Sequence, residues 1–241
     1  MLRAKYADTL SNIPLIKHGF FGKEGGESVS QFESLNVGLG RGDDDKIVMK
    51  NRAKISEYFG ILPENMVIPK QIHSNFVEIV DNPLLHIECD SVITNTPNLL
   101  IGVTTADCVP ILLCDVKQRY IAAIHSGWRG ALLGVVENTL ANLKKLGCRG
   151  DNIVAAIGPC IHQESFEVGS DVIDMVDKKY IDTRQHFDLL GYVRDKLIES
   201  GVLNSNISKI DIDTFKNNEY FSYRRANCRG CGVQFSGIMI V

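Results

Sequence analysis

No stretch of this sequence approaches the roughly 20 consecutive apolar residues that span a bilayer. Its opening "MLRAKYADTLSNIPLIKHGF" has no continuous apolar core of the kind that directs secretion. A helical membrane protein is thereby excluded, and a cytoplasmic chain is expected. A basic field is also missing. The 26 Lys and Arg are outnumbered by 29 Asp and Glu, for a net charge of -3, so neither nucleic acid nor an anionic membrane is expected as the main partner. The local exception is "YRRANCR", where Arg224, Arg225 and Arg229 make either a solvated loop or an anion site. A disulfide framework is absent too. Seven cysteines are an odd number without framework spacing, which suits a reducing compartment. Cys228-x-x-Cys231 has no second CxxC to complete a tetrahedral site and reads as chance spacing. Internal repeats, low-complexity tracts and Pro/Ser-rich linkers do not occur, so one domain over residues 1–241 is expected.

What is present is enough apolar residue, 44% of 241, to bury a sizeable core. Short apolar runs bounded by turn or polar residues predict buried strands at 76–80, 99–103, 109–113, 120–124 and 153–157. Residues 18–22 read as strand into turn, and "VQFSGIMIV" as a final strand. Val48, Arg52, Ile55 and Phe59 share one face of a predicted helix over 44–59. Leu132, Val136, Leu140 and Leu143 predict a helix over 130–146, closed by Gly147. Ser170 reads as the N-cap of a helix over 171–179, and Leu190, Val193 and Leu197 mark another over 187–199. Strands and helices interleave, which gives a mixed α/β chain.

The stretch "TTADCVPILLCD" sets Asp107 and Cys108 between apolar runs. Free cysteine is among the most buried residue types, so Cys108 reads first as a core thiol. Yet "QIHSN" and "IAAIHSGWRG" put His73 and His125 at strand ends as well. One cysteine and two histidines form a borderline-soft set suited to zinc, and three protein ligands leave the fourth tetrahedral position to water or substrate. The same residues read as a nucleophile pair, Cys108 attacking with His125 as base, which leaves His73 without a role. Core thiol, nucleophile and metal ligand all stand at this point. In "HSGWRG" the two glycines permit a sharp turn, Trp128 supplies a packing body and Arg129 a cation close by. Arg52, on the apolar helix face, either snorkels to water or points into an anion site.

The blocks "GFFGKEGG", "ESLNVGLGRGDD", "KQIHSNFV", "TTADCVPILLCD", "IHSGWRGAL", "IGPCIHQESFEVG" and "FSYRR" resemble successive signatures of the laccase-domain, polyphenol-oxidase-like family. That family is also named for purine nucleoside phosphorylase activity and for peptidoglycan editing. The resemblance runs through nearly the whole chain, and ADC together with HSGWRG, commonly HAGWRG, is its most specific part. It implies that His73, Cys108 and His125 hold Zn2+, with Cu2+ as the alternative. It also implies that Asn36 and Arg52 line the active site, Asn36 orienting ribose or base. Arg52, and Arg129 with it, would neutralise an anion; Arg52, Cys108 and His125 would be the catalytic residues. The implied fold is a single layered α/β/β domain, α+β in class, of the cytotoxic-necrotizing-factor-like cysteine-hydrolase type.

The implied activity is zinc-dependent phosphorolysis of adenosine, inosine and methylthioadenosine, with adenosine deamination beside it. The substrates would be purine nucleosides and phosphate. The alternatives are copper-dependent oxidation of phenolics, for which six histidines cannot build a multicopper centre, and hydrolytic editing of peptidoglycan precursors. Where many members continue after "RR" with DG-x-TGR, this chain reads "ANCRGCGVQFSG". The family pattern therefore carries no substrate contact over to Asn227–Gly237.

Overall fold

The computed structural model describes residues 2–83 and 86–241. Its strands are β1 (Ala4–Lys5), β2 (Ile16–Phe21), β3 (Met66–Val67), β4 (Val77–Ile79), β5 (Ser91–Thr94), β6 (Leu100–Thr105), β7 (Val109–Asp115), β8 (Ile121–Ser126), β9 (Ile153–Ile157), β10 (Ile207–Lys209) and β11 (Gln234–Ile240). They form a five-stranded sheet in the order β1-β2-β11-β6-β3 and a six-stranded sheet in the order β10-β9-β7-β8-β5-β4. The helices are α1 (Asp8–Ser11), α2 (Asp45–Phe59), α3 (Trp128–Leu132), α4 (Val135–Lys145), α5 (Ser170–Ile173) and α6 (Leu189–Glu199).

Strand alternation decides the layering. On β7, Val109, Ile111 and Leu113 pack with Val136, Leu140, Val193 and Leu197 of the helices. Leu112 and Cys114, on the other face, join Ala123 of β8 and Ile101, Val103 and Ile238 of the facing sheet. Both faces of the six-stranded sheet are covered, which is why its central strands read as continuous apolar runs. The outer face of the five-stranded sheet is closed by α2, whose Ile55 and Phe59 meet Phe21, Leu100, Phe235 and Met239. The layering is therefore α/β/β with a further helix outside the second sheet, since that sheet carries apolar residues on both faces.

Two predicted helices are corrected. The helix expected over 130–146 is two helices, because Gly134 takes the left-handed conformation at φ 86 and breaks the run between α3 and α4. The helix expected over 171–179 is the single turn α5 followed by a 3-10 turn at Lys178–Tyr180. Ser170 is its first residue rather than its cap, which is Gly169. Asp44 caps α2 by accepting from Lys46 N–H, and Asp188 caps α6 by accepting from Gly191 N–H. No helix among the described residues is long and apolar enough to cross a membrane.

Candidate active site

Register brings the site together. β7 runs antiparallel to β8 with Pro110 opposite His125, so Cys108, one residue ahead of β7, arrives beside the end of β8. β5 also runs antiparallel to β8, with Ser91 opposite Ile124, which sets Asp90 next to His125. β4 lies parallel to β5, so the loop that precedes it, carrying His73, sits at the same edge. The ligand atoms of His73, Cys108 and His125 all lie within 4.8 Å of one another, close to the roughly 3–4 Å that tetrahedral ligation demands. The two imidazoles meet edge to face at 4.8 Å between ring centres.

The cluster fits a metal ion by its donor chemistry and by its cradle. A Cβ at Gly127 would fall 2.9 Å from Cys108 Sγ and 2.9 Å from His73 Cδ2, so the glycine leaves room for both ligands. His73 itself takes a left-handed backbone, at φ 58, a strained conformation of the kind retained at functional sites.

Asp90, which sequence reasoning did not single out, organises two of the three ligands. His125 Nδ1–H donates to Asp90 Oδ1 at 2.7 Å, which fixes the tautomer and leaves Nε2 for a metal. The same carboxylate accepts from His73 N–H at 3.0 Å, from Ser74 N–H at 2.6 Å and from the Ser74 hydroxyl at 2.8 Å. Burial opposes its charge, but these bonds hold the carboxyl below the usual carboxylate range.

Burial would likewise raise the Cys108 thiol, yet the His125 and His73 imidazoles outweigh it and bring the pKa down to about 6. Burial disfavours the His125 imidazolium, but the Cys108 thiolate and Asp90 carry it up to about 9. Cys108 is thus poised as a thiolate, the form that ligates metal. The other buried thiols, at Cys89, Cys114, Cys148, Cys160 and Cys231, are pushed up by burial instead.

Two chambers open on this cluster. The larger, about 460 Å³, is lined by Arg41, Gln71, Thr104, Thr105, Tyr223 and Cys231 together with the three ligands. The smaller, about 250 Å³, is lined by Trp128, Ile161, Phe166, Leu189, Tyr223 and Arg224 and reaches His73 and Cys108. Asp107, at φ 88, braces the wall between them: its buried carboxylate accepts from the Thr214 hydroxyl (2.7 Å), the Ser222 hydroxyl (3.0 Å) and Arg224 N–H (2.7 Å).

Residues 17–241 match the family described as multi-copper polyphenol oxidoreductase laccase. The chain belongs to this family. A Bacteroides thetaiotaomicron protein named purine nucleoside phosphorylase is 34% identical, the match covering 97% of this chain and 94% of the relative. A Haemophilus influenzae protein of the same name is 33% identical over 91% of this chain and 93% of the relative. Among solved structures, the Bacillus licheniformis hypothetical protein YfiH superimposes with a TM-score of 0.91 at 26% identity, covering 96% of this chain and 95% of that one. YlmD from Geobacillus stearothermophilus does so with a TM-score of 0.90 at 26% identity, over 97% and 94%.

Three residues expected at the substrate are held by contacts of their own. Asn36 is fully buried; its Oδ1 accepts from Gly38 N–H and Val233 N–H, and its Nδ2 donates to Asp43. Arg52 donates from Nε to the Val37 carbonyl at 2.8 Å, and burial lowers its pKa to about 10. Arg129 is exposed and lies over the Trp128 ring at 5.1 Å. None of the three is among the residues lining either chamber.

The "YRRANCR" segment divides its arginines. Arg224 lines the smaller chamber, while Arg225 donates to the carbonyls of Thr214, Phe215 and Tyr220 and knits its own loop together. The divergent C-terminal segment does reach the site: Cys228 lines the smaller chamber, and Gly230 and Cys231 line the larger.

Proposed function

We propose that this chain is a zinc-dependent purine nucleoside phosphorylase, acting on adenosine, inosine and methylthioadenosine. The observation that carries the reading is the three-ligand cluster on which two chambers open, one richer in hydroxyl and amide groups and one richer in aromatic rings. Phosphorolysis joins a phosphate oxygen to C1′ of the ribose as the bond from C1′ to the purine nitrogen breaks. It therefore needs a polar, cationic pocket and a flat apolar one on either side of the sugar. The relatives named purine nucleoside phosphorylase support the same reading.

His73, Cys108 and His125 would hold the ion, which when bound supplies a Lewis acid at the junction of the chambers. Asp90 keeps the His125 proton on Nδ1 and holds the 73–74 backbone in place. Trp128, Phe166 and Tyr223 would line the chamber of the base with aromatic surface. Asn36 and Arg52 act at one remove, by fixing the 36–43 loop through Val233, Asp43 and Val37, and Arg129 backs Trp128. Adenosine deamination, with water in place of phosphate, is the second activity of this reading. The enzyme would act in the cytoplasm, in keeping with its free cysteines.

Two other readings have an observation behind them. The family description favours copper in the same three ligands and oxidation of phenolics; against it, one three-ligand cluster is found among the described residues. The thiolate of Cys108 beside the His125 imidazolium favours the cysteine-hydrolase type, in which Cys108 would attack.

The test is metal analysis of protein purified without added metal, followed by incubation with inosine or adenosine and phosphate. Zinc near one per chain with ribose 1-phosphate and free base as products supports the reading. Copper with phenol oxidation, or products formed without phosphate uptake, removes it.

A further inference from the structure

Phosphorolysis sends charge into the chamber of the base. As a phosphate oxygen bonds to C1′ and the bond from C1′ to the purine nitrogen breaks, the electron pair of that bond leaves with the purine, which stays an anion until solvent returns a proton to it. An apolar chamber opposes such a charge, since taking an unpaired anion out of water is costly. The smaller chamber is lined by Trp128, Ile161, Phe166 and Leu189, and also by Arg224.

Arg224 is held in that lining through both its backbone and its side chain. Its N–H donates to the buried carboxylate of Asp107 at 2.7 Å, one residue ahead of Cys108. Its Nη2 donates to the Glu167 carbonyl at 2.8 Å. The guanidinium carbon lies 5.4 Å from the centre of the Phe166 ring, and that ring stacks at 6.0 Å on Phe187, which is fully buried. A half-buried cation is thereby fixed to the core, with one of its five N–H donors engaged among the described residues. Arg225 contrasts with it, since its guanidinium is taken up by carbonyls of its own loop. Asp107 accepts from the Thr214 and Ser222 hydroxyls and from the Arg224 N–H rather than from its guanidinium.

We propose that Arg224 stabilises the departing purine, as a catalytic residue on the leaving-group side of the reaction. The inference rests on the phosphorolysis reading. A guanidinium stays protonated and presents its donors in a plane, so it can meet the acceptor atoms of a purine without giving up a proton. The contact strengthens as the base gains the electron pair, and it therefore acts on kcat more than on KM. A base that departs as an anion needs Arg224; a base that departs neutral does not.

The test uses zinc-loaded protein with verified metal content, comparing wild type with Arg224→Met, which keeps most of the stem, and with Arg224→Lys, which keeps the charge. Each is given phosphate with either inosine or 7-methylinosine, whose purine carries a positive charge and leaves neutral. Arg224→Met is expected to lower kcat for inosine by about 100–1,000-fold, as loss of one preorganised donor does, while the KM for phosphate stays within about twofold. With 7-methylinosine the loss should stay below about tenfold, and Arg224→Lys should recover part of the loss with inosine.

Equal losses with the two nucleosides reduce Arg224 to a packing residue and overturn the proposal, as does an unchanged kcat with inosine. Should the wild type perform no phosphorolysis, binding of free bases decides. Urate is a purine that is an anion at neutral pH, and Arg224→Met should weaken it about tenfold more than it weakens neutral hypoxanthine, as the stronger hydrogen bonds of charged groups require. If it does, the purine-anion site at Arg224 stands and the reading of the reaction falls. If urate and hypoxanthine respond alike, both fall.

Discussion

Replacing Asp90 by Asn would disturb two of the proposed metal ligands at once. The carboxylate accepts five hydrogen bonds at about 3.3 Å or less, from His125 Nδ1, the Ile72, His73 and Ser74 amides and the Ser74 hydroxyl. An Asn side chain keeps one oxygen and puts an NH2 in place of the other. If the oxygen stays on His125, the NH2 faces the Ser74 amide, whose present contact is 2.6 Å, and two donors oppose each other. If the side chain flips, the His125 tautomer is lost instead.

Loss of such a supporting carboxylate lowers metal affinity by about 10–100-fold, or roughly 1.4–2.7 kcal/mol. Breaking a buried ionic network costs the fold about 3 kcal/mol, which in a chain of this size lowers the melting midpoint by roughly 6–12 °C. Zinc affinity would be read by competition with a calibrated chelator, and the midpoint by calorimetry on zinc-free protein, so that the two effects separate. Zinc affinity within twofold of wild type, with an unchanged midpoint, would refute the role given to Asp90.

Gly127→Ala should cut zinc affinity at least about tenfold, because its Cβ would stand 2.9 Å from Cys108 Sγ; φ at Gly127 is -76, so the backbone tolerates alanine and an unchanged affinity would show that the ligands do not need this space. Asp107→Asn should destabilise by about 1–3 kcal/mol and make the 214–231 segment sensitive to protease, because an NH2 replaces one of the two oxygens that accept from Thr214, Ser222 and Arg224; wild-type resistance would contradict this. His18 is buried and accepts from Ala7 N–H at 2.9 Å, and burial lowers its pKa from 6.5 to about 4. As pH falls the unfolded chain takes up this proton first, so the stability owed to neutral His18 is complete above pH 6.5 and is lost towards pH 4, by roughly 2 kcal/mol at pH 5. Urea midpoints at pH 7 and pH 5 should converge in His18→Gln, and an equal pH loss in both proteins would remove the effect.

The strands were legible because both faces of the six-stranded sheet are covered, so "VPILLCD" and "IAAIHS" announce themselves as apolar runs. The two-residue strands β1 and β3 were not, since so short a run has no period to read. The break at Gly134 was hidden because the apolar spacing of Leu132 and Val136 carries across it.

The proposed metal ligands were legible as residue types at strand ends, and the resemblance singled them out. Asp90 was not, because its importance depends on the β5–β8 register and on the 72–74 loop folding round it. Its one sequence signal is an acidic residue directly ahead of an apolar strand. Arg52 was visible on the apolar face of α2, but a side chain's depth does not tell whether its head reaches a cavity or a carbonyl, and here it reaches Val37. Arg41 sits in a loop with no period, where only the tertiary course of the chain brings it to the chamber.

The central claim is that His73, Cys108 and His125 act as metal ligands in phosphorolysis. It is tested most directly by following ribose 1-phosphate formation from inosine in chelated and zinc-restored protein while iodoacetamide labelling of Cys108 is mapped in the same samples. The account predicts that chelation abolishes turnover, that zinc restores it, and that Cys108 is labelled much faster without the metal than with it, because a bound thiolate is shielded. Full turnover by the zinc-free protein, abolished on alkylation of Cys108, would contradict the account and establish Cys108 as the nucleophile.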